Sequence, residues 1–281
     1  MIKILTDSAA DFEQEEADKL NLSFLPIMIR FGEEEYADGV NLSHREFFEK
    51  LIESDTLPQT SQINEYRFAE WFAELTSDGS EVLAVLLSSR LSGTYYCAVN
   101  AAKAFDGKVR VVDSLNACIG EQILVRYALQ LREKGALLNE IAEALEQKKS
   151  SIQLLAVLDT LTYLKKGGRI SAMAAMAGEL LSIKPVISVT DGEVKLVGKA
   201  IGSKKSNNLL TQLIEKCGGI DFSLPYMLGY SGLSDAFLQK YVRDSERLFA
   251  GYADSLPSCL IGSTIGTHVG PNAIAVAFFA K

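Results

Sequence analysis

Four short polar segments of this 281-residue chain bring hydroxyls, carboxylates and glycine together: Thr6-Asp7-Ser8, Thr60-Ser61-Gln62, the stretch 88–94, and Asp113-Ser114. Within the third, Ser92-Gly93-Thr94 passes straight into residues with helical spacing. A helix start exposes backbone N–H groups and the positive end of the macrodipole, which favours an anion, and hydroxyls add directed donors. Glycine at position 93 lets the backbone come close to such a ligand. The same residues also suit plainer tasks, Ser92 as a helix cap and Thr60 in a turn. A second chemistry is an acyl hydrolase or acyl transferase, with Ser92 as nucleophile and His268 as its base. The chain holds two histidines. Ser43-x-x-Glu46 reads as a capping box, which places His44 on the exposed first turn of a helix and leaves imidazole chemistry to His268.

Other enzyme classes lack their signatures. There is no GxxxxGK[ST] loop for nucleotide phosphates and no GxGxxG fingerprint. Gly229-Tyr230-Ser231-Gly232 falls short of a nucleophile elbow, because the second glycine would have to stand at position 233, which is leucine. Cys97, Cys118, Cys217 and Cys259 form no CxxC pair, so they read as buried reduced thiols and not as a zinc or redox site. No metal and no nucleotide cofactor is indicated.

Elements that alternate between strand and helix must position these residues. Apolar runs at residues 2–5, 23–31, 82–87 and 109–112 read as strands. Helical spacing follows them at residues 11–20, 43–54, 66–75, 95–104, 120–133 and up to about 150. The run at 82–87 does not alternate, as expected of a strand covered on both faces. Such a pattern predicts a mostly parallel, doubly wound sheet, with ligands bound beyond the carboxyl ends of its strands. The second part has a different texture. A buried strand at 152–158 precedes a short helix at 161–166, a small-residue helix at 172–181, and the best hairpin signal in the chain, Asp191-Gly192 between alternating runs. A helix at 204–216, a strand at 226–230, a helix at 235–249 and two closing strands at 259–264 and 273–280 complete it. The change of pattern predicts an N-terminal α/β domain over residues 1–152 and a C-terminal α/β domain with a mixed sheet over residues 153–281.

Hydrophobic residues make up 48% and charged residues 23% of the chain, which is the composition of a globular protein. The net charge of −8 opposes general binding to nucleic acid, whose phosphates a partner must neutralise. No apolar run approaches the length of a spanning helix, and the N-terminus turns polar too soon for a secretory signal, so a cytoplasmic protein without a transmembrane segment is expected.

Taken in order, the motifs resemble those of the DegV family of bacterial fatty-acid-binding proteins. Thr6-Asp7-Ser8 follows the first strand, Thr60-Ser61-Gln62 matches the family's TSQ loop, and Leu91-Ser92-Gly93-Thr94-Tyr95 matches its LSGTY segment. Asp113-Ser114, Lys166-Gly167-Gly168-Arg169-Ile170-Ser171, Lys184-Pro185 and His268-Val269-Gly270-Pro271 complete the series. The resemblance implies two α/β domains with a lipid tunnel between them and one long-chain fatty acid inside. It implies that Thr60 and Ser92 hold the carboxylate, with Ser61, Gly93 and His268 beside them, and that Arg169 and Lys204 lie toward the headgroup or a partner. It further implies a non-catalytic subunit that presents the acid to a separate ATP-dependent fatty-acid kinase, related to dihydroxyacetone kinases, for acyl-phosphate formation and phospholipid synthesis. A fatty-acid sensor without a kinase partner is the other non-enzymatic reading. Three positions depart from the family's pattern: Ile63 follows TSQ where proline is common, Asn272 stands in place of a glycine, and Ile201 replaces an arginine.

Overall fold

The structure, a computed structural model, describes residues 1–170, 183–252 and 256–281. The small-residue helix expected at 172–181, together with Ser171, lies outside the described residues.

In chain order the first part contains β1 (Ile2–Asp7), α1 (Gln14–Lys19), β2 (Leu22–Leu25), β3 (Met28–Phe31), β4 (Glu34–Ala37), α2 (His44–Glu53) and β5 (Gln59–Ser61). It continues with α3 (Glu65–Thr76), β6 (Glu81–Leu86), α4 (Thr94–Ala102), β7 (Val109–Asp113), α5 (Cys118–Glu133) and α6 (Leu138–Lys148). The strands β2-β1-β6-β7 form a parallel sheet in that order. Val82, Leu83, Ala84, Val85 and Leu86 are all fully buried, which is why β6 shows no polar alternation. Helices α3 to α6 cover this sheet.

One predicted strand is really two. Pro26 has no N–H to give to a ladder, and the chain leaves the parallel sheet there. β2 stays in that sheet, while β3 becomes the centre of a small antiparallel sheet, β4-β3-β5. The Thr60 segment, expected to be a loop, is therefore a strand: Thr60 pairs with Ile29. The helix expected from residue 11 begins only at Gln14, because Asp11 turns into the left-handed region at φ 56°.

From Ile152 onward every described strand belongs to one six-stranded sheet. It contains β8 (Ile152–Val157), β9 (Ile183–Thr190), β10 (Glu193–Ile201), β11 (Met227–Tyr230), β12 (Ser258–Leu260) and β13 (Ile274–Phe279), in the order β10-β9-β8-β13-β11-β12. Only the β11–β12 pair is parallel, so the sheet is mixed, as expected. Asp191 and Gly192 join β9 to β10 at φ 53° and 81°, the two positive values a type I′ hairpin requires. Four described helices accompany this sheet: α7 (Thr162–Lys166), α8 (Ser203–Lys216), α9 (Ala236–Asp244) and α10 (Ser263–Val269). We propose that the chain divides at this change of sheet into units 1–152 and 153–281.

α10 corrects the expectation of a strand over residues 259–264: the strand there, β12, ends at Leu260, and α10 begins at Ser263. Its residues Thr264, Ile265, Thr267 and Val269 are β-branched and Gly266 is flexible, all poor helix formers, so local propensity hid it. His44 is also corrected. The Ser43–Glu46 capping box exists, with Glu46 N–H donating to Ser43 Oγ and Ser43 N–H to Glu46, yet His44 is only 5% exposed. α10 lies over α2 and buries it. All four cysteines are reduced as expected, but only Cys118 is buried; Cys97, Cys217 and Cys259 are half-buried.

Candidate functional site

Where the sheets and α10 meet lies a cavity of about 890 Å³ of space not filled by protein atoms, its mouth included. Its walls are mostly aliphatic: Ile27 and Leu87, Leu154, Ala156 and Leu158 of β8 and the residue after it, Ile187 and Val189 of β9, and Ala273 and Ala275 at β13. Alternation along β8 and β13 produces this surface. Ala273, Ala275, Leu154 and Ala156 point one way, while Leu155, Val157, Ile274, Val276 and Phe278 point into a second core under α8 and α9. Thr60, Ser61, Gln62, Ser92, Arg169 and His268 border the cavity as polar residues, and Ser188 and Thr264 also lie on its wall.

The structure brings Thr60 and His268 together from 208 positions apart: Thr60 Oγ1 lies 3.2 Å from His268 Nε2. Burial, and secondarily the Arg169 guanidinium, push the His268 imidazole down to about 4, so at neutral pH the ring is uncharged. Gly167 makes room for it; a Cβ there would stand 2.2 Å from His268 Nδ1. Arg169 is fixed by backbone carbonyls, its Nη1 donating to Gly167 O at 2.7 Å and its Nε to Leu91 O at 3.3 Å.

Ser92 is not joined to His268. Its Oγ pairs with Thr94 Oγ1 at 2.9 Å and accepts from Thr94 N–H at 3.3 Å, and the helix start itself is Gly93. Gly93 leaves the space taken by the Gln62 side chain, whose Oε1 would lie 2.1 Å from a Cβ there. The Ser92–His268 pair expected of a Ser–His hydrolase is therefore not assembled; the hydroxyl beside the imidazole is that of Thr60, and among the described residues His268 Nδ1 is buried without the partner that would orient a base. Lys204 stands exposed on the first turn of α8, away from the cavity wall. Among the described residues no cluster of histidine, cysteine and carboxylate residues could hold a metal ion, and no helix is long and apolar enough to cross a membrane.

All of the chain, residues 1–281, matches the family model described as uncharacterised protein, DegV family. The chain belongs to the DegV family. A DegV domain-containing protein of Clostridium perfringens is 35% identical, the match covering 98% of this chain and 96% of the relative. Among solved structures, a DegV family protein from Thermus thermophilus described by its fatty acid binding superposes with a TM-score of 0.88 at 28% identity, covering 100% of this chain and 99% of the other. A stearic-acid-binding protein from Eubacterium ventriosum gives a TM-score of 0.86 at 25% identity, covering 99% and 97%.

Two of the DegV-like motifs turn out to be scaffold. Asp7 accepts from the N–H groups of Ala9 and Leu87, Ser8 Oγ accepts from Ile27 N–H, and Asp113 accepts from Ser89 and Leu115. These buried bonds shape the loops that carry the site. Asn272, standing where the DegV pattern has glycine, adopts φ 65°, a conformation asparagine tolerates better than most residues.

Sequence patterns did not flag the residues that hold α10 in place. Asp11 Oδ1 accepts from Gly262 N–H at 2.9 Å, and Asp38 accepts from the first turn of the helix. Asp7, Asp11, Asp38 and Glu121 are all fully buried. Burial pushes Asp11 up to about 8, against the lowering pull of the Cys118 thiol and Gly262 N–H, and pushes Asp7 up to about 6. A carboxyl whose folded pKa is raised contributes stability that is complete below about pH 4 and is lost as pH rises through its folded value. For Asp11 that loss continues to about pH 8, beyond the ranges of Asp7 and His268. Between pH 6.5 and 8 the chain is therefore expected to lose stability with rising pH, by at most ~1.4 kcal/mol per pH unit from this group. Burial also pushes the Glu121 carboxyl well up, which adds to the fall, so Asp11→Asn should make the slope shallower without removing it. Urea unfolding at the two pH values checks it, and parallel slopes in wild type and variant contradict it.

Proposed function

We propose that this DegV-family chain binds one long-chain fatty acid in the cavity, with its carboxylate at Thr60 and Ser92 and its tail along the aliphatic wall. The observation that carries this reading is the make-up of the cavity: a mostly aliphatic wall with Thr60 and His268 3.2 Å apart on it and Ser92 and Arg169 among the other polar residues that border it. The solved relatives described as binding fatty acids support it.

The polar end suits a carboxylate held by neutral donors. Among the described residues His268 Nδ1 has no acceptor, so the imidazole proton is better placed on Nε2, donated to Thr60 Oγ1. Thr60 can then turn its own hydroxyl proton toward the ligand. Ser92 adds a second hydroxyl, Ser61 borders the cavity beside them, Gly93 leaves room for the Gln62 side chain, and Arg169 supplies nearby positive charge. Chain burial outweighs this grip. About 15 methylenes at ~0.8 kcal/mol each give ~12 kcal/mol before the costs of binding, whereas a hydrogen bond to a charged headgroup nets ~1.5–3 kcal/mol. Tail burial sets the affinity and the headgroup sets the orientation.

In this reading the protein catalyses nothing itself. It works in the cytoplasm and offers the carboxylate to a separate ATP-dependent fatty-acid kinase for acyl-phosphate formation toward phospholipid synthesis. Ile201, exposed on β10 where the family pattern has arginine, leaves contact with that partner to groups such as Arg169 and Lys204. Ser92→Ala is expected to weaken fatty-acid binding about tenfold, for ~1.5 kcal/mol, and to depress acyl-phosphate formation by a cognate kinase by a larger factor. Equal losses in the two assays would contradict the division between affinity and orientation.

Native mass spectrometry of the purified protein tests the ligand class. The expected result is one adduct of a few hundred daltons that extracts into organic solvent as a free fatty acid. A protein that takes up no fatty acid, even when incubated with one, overturns the proposal.

A further inference from the structure

The three-stranded sheet grips α10 at both ends. Thr60, on β5, meets His268 near the C-terminal end of the helix. Asp38, the residue after β4, meets its first turn: Oδ1 accepts from Ser263 N–H at 3.1 Å, and Oδ2 accepts from Thr264 N–H at 3.0 Å and from Thr264 Oγ1 at 2.6 Å. β3 ties the two grips together, pairing Met28 with Ala37 on one side and Ile29 with Thr60 on the other.

A helix of seven residues with this composition does not hold itself. Its first N–H groups need acceptors, and Gly262, its N-cap, has no side chain to offer one. Asp38 supplies two of those acceptors across 225 positions of sequence, and Asp11 supplies a third at Gly262. A carboxylate also interacts favourably with the positive end of the helix dipole. Asp38 is 0% exposed, so water does not substitute for any of these bonds. From Ser263 and Thr264 to His268 is about one helical turn, a stiff lever.

We propose that Asp38 is a positioning residue for the headgroup end of the cavity: by fixing the first turn of α10 it fixes the approach of His268 to Thr60. Only its consequence for affinity rests on the fatty-acid reading; the placement of the ring does not. Asp38→Asn keeps the side chain's size but puts an N–H group against donors that the second oxygen now serves.

The test has two readouts. In nuclear magnetic resonance of the His268 ring, wild type should titrate near 4, with Arg169 as the charged group facing it. In Asp38→Asn the ring, loosened toward water, should titrate at least ~1 pH unit higher. Palmitate affinity, measured in wild-type and His268→Ala backgrounds, gives the second. Asp38→Asn is expected to weaken binding about tenfold in the first and less than about twofold in the second, since residues acting through one another are not additive. An unmoved ring titration, or an equal loss of affinity in both backgrounds, overturns the proposal even if melting temperature falls. Should Asp38→Asn not fold, Thr264→Val against Thr264→Ser compares a lost with a kept hydroxyl bond to Asp38, and the ring must move in the first only. A wild type that binds no palmitate overturns the fatty-acid reading, and the ring titration still decides the role of Asp38.

Discussion

Ala275→Phe is expected to reduce long-chain fatty-acid binding about a hundredfold while leaving the fold intact. The cavity exists because small residues line up across the six-stranded sheet. Ala275 on β13 pairs in register with Ala156 on β8 and with Gly229 on β11. Beyond Ala156 the same row runs on to Ile187 of β9, which also borders the cavity, and to Leu196 of β10, while the space over Gly229 is taken by Ile261 and Ile119. Larger residues would be expected in the centre of a buried sheet, where each added methylene gains from burial, so such a row costs stability unless something else fills the gap. A phenyl group at position 275 would occupy part of that space. Displacing about four methylenes of an acyl chain forfeits ~3 kcal/mol, roughly a hundredfold in affinity. Titration of the delipidated variant with palmitate measures this, and a thermal melt separates it from misfolding. Unchanged affinity would mean that the acyl chain does not run over β8 and β13.

Gly270→Ala should cost ~3 kcal/mol or more of folding stability and weaken binding as well. Gly270 ends α10 at φ 70° and ψ −173°, a region open in practice only to glycine. A Cβ there would also stand 2.3 Å from the Tyr163 ring. Neither problem has an inexpensive solution: the backbone angle is needed to turn the chain into β13, and Tyr163 belongs to the short helix α7 that precedes Gly167 and Arg169. Relief of the clash must move α7 or α10, and both carry residues of the polar end. Chemical denaturation should show a markedly lower midpoint with an unchanged slope. A variant within ~0.5 kcal/mol of wild type would show that the end of α10 is far more yielding than its contacts imply.

Much of this architecture was legible in local pattern. The six-residue apolar run of β6, the Asp191-Gly192 turn and the Ser43 capping box each have a mechanism that acts within a few residues, and each forms as expected. The site residues Thr60, Ser61, Ser92, Arg169 and His268 came from motif order and border one cavity; Gly93 does not line it but leaves room for Gln62, which does, and Lys204 lies elsewhere on the surface. What stayed hidden depends on distant partners. α10 is a helix because Asp38 and Asp11 accept from its first turn, and neither is near it in sequence. His44 occupies the helix position that its capping box assigns, but a capping box does not say which side another helix will cover. Pro26 was the available signal that the stretch 23–31 is two strands in two sheets.

The most direct measurement is nuclear magnetic resonance of the delipidated protein reloaded with palmitate carrying carbon-13 in its carboxyl group. A single carboxyl resonance is expected, with through-space contacts to the Thr60 methyl group and the His268 ring, and it should shift in Thr60→Val and Ser92→Ala. A carboxyl group that titrates as it does in water, shows no contact to these residues and ignores both substitutions would contradict the account at its centre.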